Sequence, residues 1–329
     1  MPRSLPCFSA VGSVFYLTEA NQVTGEVLHV DGGAKMSTQK TLLITGASSG
    51  FGRALFDAGL KAGHTVVGTV RREEDRDALE ALSFDGRAQA VILDVTDFRA
   101  IGAAVTALEE RIGAIDVLIN SAGYGHEGTL EESPLDELLR QLEVNLFGAV
   151  AMIKAVLPSM RELRRGHIIN ITSMAGYIGL PGIAYYTASK FALEGISAVL
   201  AKELAPFGVK VTAVAPGSFR TDWAGRSMVR SPRSIEDYDG LFDPIRKARA
   251  DKSGKQNGDP DKAAAVILDL ISLDQPPAHL LLGSDALTLV KPALRVALDE
   301  IDIWEKVSRS TDFRQSQSSE TACVTSSNV

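Results

Sequence analysis

The stretch Thr41-Leu-Leu-Ile-Thr-Gly-Ala-Ser-Ser-Gly-Phe-Gly52 constrains the fold more than any other part of the chain. A β-branched apolar run passes through three closely spaced glycines and opens into an amphipathic pattern. Strand, glycine turn and helix in that order let a backbone approach a phosphate closely. Glycine has no Cβ to hold the anion away, and the free N–H groups and dipole of the new helix point at it. Gly46, Gly50 and Gly52 are therefore expected to form a pyrophosphate cradle, with Ser48, Ser49 and Phe51 as its lining. Without the strand before it and the helix after it, a glycine cluster would mean only a tight turn.

The same alternation continues downstream. Thr41–Thr45, Thr65–Val70, Ala90–Leu93, Ile115–Asn120, His167–Thr172 and Val209–Val214 read as buried strands, and His279–Leu282 as a closing edge. Between them, Asp97–Arg111, Leu135–Arg161 and Ala188–Ala205 repeat apolar residues every three or four positions. This pattern predicts an α/β fold: one doubly wound Rossmann-type domain with a seven-stranded parallel sheet and helices on both faces. The domain is expected over residues 37–313, with 222–260 as a lid over the ligand crevice and 314–329 as a disordered Ser/Thr/Gln-rich tail.

Two further patterns carry chemistry. At the end of the second strand an acidic side chain would hold both ribose hydroxyls of NAD, whereas a basic one would accept the 2′-phosphate of NADP. The chain reads Thr69-Val-Arg-Arg there, and the planar guanidinium of Arg71 suits a phosphate, so NADP(H) is favoured over NAD(H). The alternative is that Arg71, Arg72, Glu73 and Glu74 are a solvated charge run opening a helix. Further on, Tyr186 and Lys190 stand at i and i+4 on one helical pattern. A free tyrosine, with a pKa of about 10, is a poor base at neutral pH, and a nearby ammonium stabilises its phenolate. On its own such a pair is a common coincidence. Ser173, placed just after a strand end, adds a hydroxyl able to donate to a substrate carbonyl.

The glycine spacing, the Ser173–Tyr186 interval and Tyr186-Thr-Ala-Ser-Lys190, together with Asn120-Ser-Ala-Gly123 and Asn145, resemble the motifs of the short-chain dehydrogenase/reductase family. The resemblance covers residues 40 to about 312 and departs only at Ser121, where the family usually has asparagine. It implies that Tyr186 exchanges a proton with the substrate oxygen and that Ser173 polarises and positions that oxygen. Lys190 is expected to lower the tyrosine pKa and hold the nicotinamide ribose, and Asn145 to support a relay water. Asp94 and Val95 would contact the adenine, and Asn120, Ala122 and Gly123 would line the cofactor. Pro216, Gly217 and Thr221 would fix the nicotinamide. Tyr185 competes with Tyr186 but has the wrong register to Lys190. The implied activity is interconversion of a secondary alcohol and a ketone by a homodimer pairing through Leu135–Arg161 and Ala188–Ala205. Two alternatives remain: an epimerase or dehydratase that recycles its cofactor internally, and a non-catalytic NADP sensor.

Within the family, Ala215-Pro-Gly-Ser-Phe-Arg-Thr-Asp and Leu280-Leu-Leu-Gly-Ser-Asp-Ala, with Trp304 and Ser310-Thr-Asp-Phe, resemble the hydroxysteroid-dehydrogenase-like branch. Tyr124, Met174, Tyr177, Ile178, Pro181 and Trp223 then make a mostly apolar pocket wall, which suits a bulky apolar alcohol or ketone. A net charge of −7 argues against a nucleic-acid partner. No apolar run reaches the about 18 residues of a membrane span. Cys7 and Cys323 have no partner at metal-ligand or redox spacing, no metal site is expected, and a cytoplasmic setting fits. Residues 1–36 are unusual. Val23-Thr-Gly-Glu-Val-Leu-His-Val-Asp-Gly-Gly33 resembles the closing strand of other family members, which suggests a non-essential extension before a functional start at Met36. The rival reading is a real added strand that docks on a sheet edge.

Overall fold

A computed structural model describes residues 39–313. The expectations for 1–36 and for the tail 314–329 lie outside the described residues.

Seven strands form one parallel sheet: β1 (Thr41–Ile44), β2 (Thr65–Val70), β3 (Ala88–Ile92), β4 (Val117–Asn120), β6 (Gly166–Ile171), β7 (Val209–Pro216) and β9 (His279–Leu282). Their spatial order is β3-β2-β1-β4-β6-β7-β9, so the chain reverses direction across the sheet between β1 and β4. Such a switch point opens a crevice at the carboxyl ends of the strands. The expected seven-stranded doubly wound sheet is present; the second and last strands have the expected bounds and the others are shifted by one or two residues.

Successive strand residues point to opposite faces. Leu42 and Ile44 enter one apolar layer with Phe56, Val66 and Ile267, while Leu43 enters the other with Val67, Met152, Ile153 and Ile168. Each such side chain contributes about 1.5–3 kcal/mol when fully buried. The first layer is covered by α1 (Gly50–Lys61) and α8 (Pro260–Ser272), the second by α3 (Phe98–Ile112), α5 (Gly148–Glu162) and α6 (Ala184–Leu204). Between β2 and β3 lies α2 (Glu73–Glu80).

Several expectations are corrected. Leu135–Arg161 is α4 (Leu135–Leu142), a π-helical turn over Glu143–Phe147 and α5 in continuous succession. That stretch, Leu135–Glu162, is by length and composition apolar enough to cross a membrane, although no unbroken apolar run within it reaches about 18 residues. Here Met152, Ile153, Val156 and Met160 bury against the sheet. Helix α6 begins four residues earlier than expected, right after Pro181-Gly182, so Tyr186 sits in its first turn. The segment 222–260, expected as a lid, carries regular structure. It holds β8 (Met228–Arg230), which pairs in parallel with β5 (Gly125–Glu127), and α7 (Asp239–Asp251). Buried Glu127 anchors it, with Arg249 at 2.9 Å, Arg246 at 3.4 Å and Arg230 at 3.5 Å. After β9 the chain ends its described part in α9 (Ser284–Arg309), which buries only Ala286 and Val290.

Candidate active site

The switch point opens into a crevice of about 820 Å³, and the glycine turn is its floor. Gly46 and Gly50 have φ of 69° and 56°, which glycine adopts without strain. A Cβ on Gly46 would lie 2.9 Å from Ala122 Cα, and one on Gly52 only 2.2 Å from the Gly46 carbonyl oxygen. Ser49 caps α1 with extended backbone and makes no side-chain bond to the helix, so the first N–H groups face the crevice unpaired by it. The Thr45 hydroxyl accepts from the N–H groups of Ser121 and Ala122, both at 3.0 Å, and ties this turn to the end of β4. These glycines leave the room that a pyrophosphate against a helix terminus requires.

At the far end of β2, Arg71 lines the crevice and forms no ion pair among the described residues. Its neighbour Arg72 is committed to Asp75 at 2.8 Å, and Arg76 to Glu73 at 2.6 Å. The charge run is thus a solvated helix start, within which Arg71 is exposed and faces the crevice. Asp94 and Val95 line the wall beyond β3, and the Asp94 carboxylate accepts from the N–H and hydroxyl of Thr96 at 2.9 and 2.8 Å. Pro216 and Gly217 end β7 on the opposite side. Asp285 braces that turn, accepting from the Ser218 N–H at 2.9 Å, and a Cβ on Gly217 would meet its carboxylate at 2.2 Å. Thr221 approaches Gly50, so the lid starts beside the cradle.

Ser173, Tyr186 and Lys190 meet on the wall between the cradle and the lid. The Tyr186 ring packs against Trp223 of the lid with centroids 5.0 Å apart, and Lys190 Nζ lies 5.7 Å from the ring centre. Tyr185 points elsewhere: its hydroxyl donates to the Ser133 carbonyl at 2.8 Å. The Tyr186 hydroxyl is set by its burial, with Lys190 one helical turn away. Burial pushes the Tyr186 hydroxyl up to about 12, opposed by a hydrogen bond with Ser173. The lysine ammonium is instead engaged by the Ile171 carbonyl at 2.8 Å. Burial also lowers Lys190 to about 8, with Glu194 acting against that shift.

Two expected site residues do not line the crevice. Asn120 is buried between β4 and β6, where its Nδ2 donates to Asn170 at 2.9 Å. Asn145, in the π-helical turn, is 1% exposed. Both amide hydrogens are used: Nδ2 donates to the Tyr124 carbonyl and the Ser189 hydroxyl at 3.0 and 3.1 Å, and Oδ1 accepts from the Tyr124 N–H at 3.1 Å. A π-turn is a recurrent device for aiming one residue out of helical register, and here it aims Asn145 at the backbone behind Gly123.

The wall is also less apolar than expected. Tyr124, Met174 and Trp223 line it, joined by Leu180 and Ile183, whereas Tyr177, Ile178 and Pro181 do not. Arg140, Arg226, Arg249 and Lys252 add charge around it. Sequence reasoning missed these four because they come from helices and a lid whose folded positions no local pattern encodes.

The family model described as short chain dehydrogenase matches residues 40–229. An oxidoreductase of Botryotinia fuckeliana is 38% identical over 269 residues, covering 82% of this chain and 98% of that protein. A 3-ketodihydrosphingosine reductase of Bacteroides thetaiotaomicron is 39% identical over 244 residues, 74% of this chain and 87% of its own length. Among solved structures, a short-chain dehydrogenase from Streptomyces avermitilis superposes with a TM-score of 0.78 at 41% identity, over 84% of this chain and all of that one. A gluconate 5-dehydrogenase from Burkholderia cenocepacia, in complex with NADP and tartrate, gives 0.64 at 25% identity, over 76% of this chain and 96% of that one.

Proposed function

The chain belongs to the short-chain dehydrogenase/reductase family and is an NAD(P)-dependent oxidoreductase, and on that premise we propose that it interconverts a secondary alcohol and a ketone with NADP(H), using Tyr186 as the acid and base. The observation that carries this reading is the convergence of Ser173, Tyr186 and Lys190 beside a glycine cradle, while the rival Tyr185 is tied to Ser133.

The nicotinamide cofactor supplies the hydride for ketone reduction and accepts it in alcohol oxidation. Gly46, Gly50, Gly52 and the start of α1 would hold its pyrophosphate, and Arg71 its 2′-phosphate. Arg71 supports NADP because it is the cradle-side cation without an acidic partner among the described residues. The NADP-bound gluconate 5-dehydrogenase relative agrees with that choice.

For reduction, the Ser173 hydroxyl donates to the ketone oxygen and fixes it next to Tyr186. The Tyr186 hydroxyl, held protonated at neutral pH by its burial, then gives its proton to that oxygen. The phenolate left behind is offset by the ammonium of Lys190, one helical turn away. For oxidation the same proton moves in reverse, and Lys190 must then stabilise the phenolate before catalysis begins. Trp223, Leu180 and Ile183 supply apolar surface near the tyrosine, and Lys252, without an ion-pair partner among the described residues, supplies positive charge, while Arg226 and Arg249 are paired with Asp222 and Glu127. This combination suits a ketone with an apolar body and a polar or anionic end.

The test is a panel of cyclic, aliphatic and head-group-bearing ketones with NADPH and NADH, followed at the reduced-nicotinamide absorbance band. Net NADPH consumption is expected. Product formed without net consumption would assign the protein to epimerase or dehydratase chemistry, and binding without turnover on any substrate to cofactor sensing.

A further inference from the structure

One helical turn beyond Lys190 on α6 lies Glu194, 7% exposed and outside the crevice wall. A buried carboxylate is costly unless both oxygens find partners. The Thr172 hydroxyl meets Oε1, and also lies 2.9 Å from the Val214 carbonyl. Oε2 accepts from the Tyr177 hydroxyl at 3.1 Å and lies 2.8 Å from His279 Nδ1.

Thr172 and Tyr177 are the two ends of the short segment that carries Ser173. Thr172 precedes the serine, a single 3₁₀ turn over Met174–Gly176 follows it, and Tyr177 closes the turn. Within the turn, Gly176 N–H bonds the Ser173 carbonyl at 2.8 Å and the Tyr177 and Ile178 N–H groups bond the Met174 carbonyl at 3.0 and 3.2 Å, while Thr172 N–H bonds Val214 of β7 at 2.7 Å. None of these bonds fixes its distance from α6. Glu194 reaches both ends, and His279 on β9 extends the attachment to the edge of the sheet. Nothing bulky intervenes, since a Cβ on Gly176 would lie 2.9 Å from Glu194 Cγ and 3.0 Å from the Lys190 carbonyl.

We propose that Glu194 is a positioning residue, which fixes Ser173 against Tyr186 by strapping both ends of the Thr172–Tyr177 turn to the helix that carries Tyr186 and Lys190. The inference rests on the reading of Ser173 and Tyr186 as the proton-handling pair. It gives a buried carboxylate outside the crevice wall a role in the reaction. Misplacing a catalytic group by about 1 Å can cost about 10²-fold in rate, so loosening the turn should appear in kcat.

The experiment uses the full-length protein and two mild substitutions, Tyr177→Phe, which keeps the ring and removes one strap, and Glu194→Gln, which keeps the shape and loses the charge. Each is measured alone and with Ser173→Ala, for kcat and KM of the best ketone, NADPH affinity by fluorescence and melting temperature. In the Ser173 background kcat should fall roughly 5-fold for Tyr177→Phe and roughly 10-fold for Glu194→Gln, with NADPH affinity within about twofold of the parent. In the Ser173→Ala background the same changes should alter kcat less than about twofold, because no serine remains to be positioned. Equal losses in both backgrounds would reduce Glu194 to a structural role, and no loss in either would remove it from the reaction. Should Glu194→Gln fail to fold, Tyr177→Phe carries both comparisons. Failure of the underlying reading looks different: Tyr186→Phe would then keep its turnover whatever Glu194 does.

Discussion

Substituting Gly52 by alanine tests how tightly the cradle is built. The new Cβ would stand 2.2 Å from the Gly46 carbonyl oxygen and 2.8 Å from its carbon, where ordinary contact begins near 3.4 Å. Relief therefore requires backbone to move by roughly 1 Å, since no flexible side chain is in the way. Gly46 is poorly placed to yield. Its N–H donates to the Thr69 hydroxyl at 3.2 Å, Ala47 N–H bonds the Thr69 carbonyl at 3.1 Å, and Ala122 backs it at 2.9 Å from any Cβ. Overpacking costs about 1–3 kcal/mol, and one or two strained hydrogen bonds add about 1 kcal/mol each. The sum, roughly 2–5 kcal/mol, does not exceed the about 5–15 kcal/mol of a typical domain, so the variant should fold with a melting temperature about 4–20 °C lower. NADPH affinity, read by fluorescence titration, should fall by at least about 100-fold, because the displaced backbone belongs to the turn whose N–H groups would hold the pyrophosphate. Gly102→Ala in α3 is the control. Nothing lies within 4 Å of its Cβ, and helix propensity should raise stability by up to about 1 kcal/mol. A Gly52→Ala protein melting within 1 °C of the parent (well inside the roughly 2–4 °C expected per kcal/mol), with NADPH affinity intact, would refute the cradle.

Tyr186→Phe should lower kcat by about 10²–10⁴-fold while leaving NADPH affinity nearly unchanged, and steady-state kinetics showing more than about a third of parental kcat would exclude it as the acid. Arg71→Asp should weaken NADPH far more than NADH, by an expected 10-fold or more, since it removes a phosphate partner and adds a repelling charge. An unchanged ratio of kcat/KM for the two cofactors would move the specificity elsewhere. His167 is buried against Thr212 at 2.9 Å, and burial, with Lys210 and Lys40 assisting, lowers its pKa to about 3. As pH falls below about 6.5 the unfolded chain takes this proton and the native protein does not, so stability present above that pH should drain away by about 1.4 kcal/mol per unit down to about 3. Urea unfolding at pH 7 and pH 5 measures it, and a His167→Gln protein with the same acid sensitivity would contradict it.

The parts of this site that could be read from sequence are those whose chemistry is local. The glycine cradle occupies twelve consecutive residues, Thr41 to Gly52, and its φ angles and missing Cβ atoms follow from residue type. Tyr186 and Lys190 share one helix, so their spacing survives even though that helix starts four residues earlier than its apolar period suggests. What sequence misplaced depends on side-chain direction. Asn120 and Asn145 fall at the right positions in the chain, yet one is spent on Asn170 and the other on Tyr124 and Ser189. Local spacing likewise counts the ammonium at i+4 but not the burial of the ring, which pushes the tyrosine hydroxyl up. Glu194 was invisible because its partners come from β6, the turn after it, and β9. The lid's β8 is legible only through its pairing with β5, roughly a hundred residues earlier in the chain.

The outer layer of the fold raises the question of its partner. Along α4 and the π-helical turn, Leu135, Leu139 and Phe147 recur at multiples of four residues and are 66%, 54% and 47% exposed. On α6, Phe191 and Val199 repeat the spacing at 46% and 54%, with Gly195 between them. Beneath these stripes Leu146, Ala149 and Leu193 already pack the two helices together, so the exposed residues are surplus to the protomer. We propose that these faces pair about a two-fold axis in a homodimer. Gly195 discriminates this from a merely apolar surface, because a Cβ there meets nothing within 4 Å in the protomer. Gly195→Arg should therefore leave an isolated protomer unharmed, and even favour α6 by up to about 1 kcal/mol through helix propensity. In a dimer the same side chain would insert an unpaired charge between closely approaching helices, at a cost of several kcal/mol. Light scattering coupled to size exclusion should show the parent at twice the 35.1 kDa chain mass and the variant at that mass itself, with its melting temperature then depending on concentration less than the parent's does. A parent that runs at the chain mass across micromolar concentrations, or a variant that remains paired, would place these helices at the protein's own surface and nowhere else.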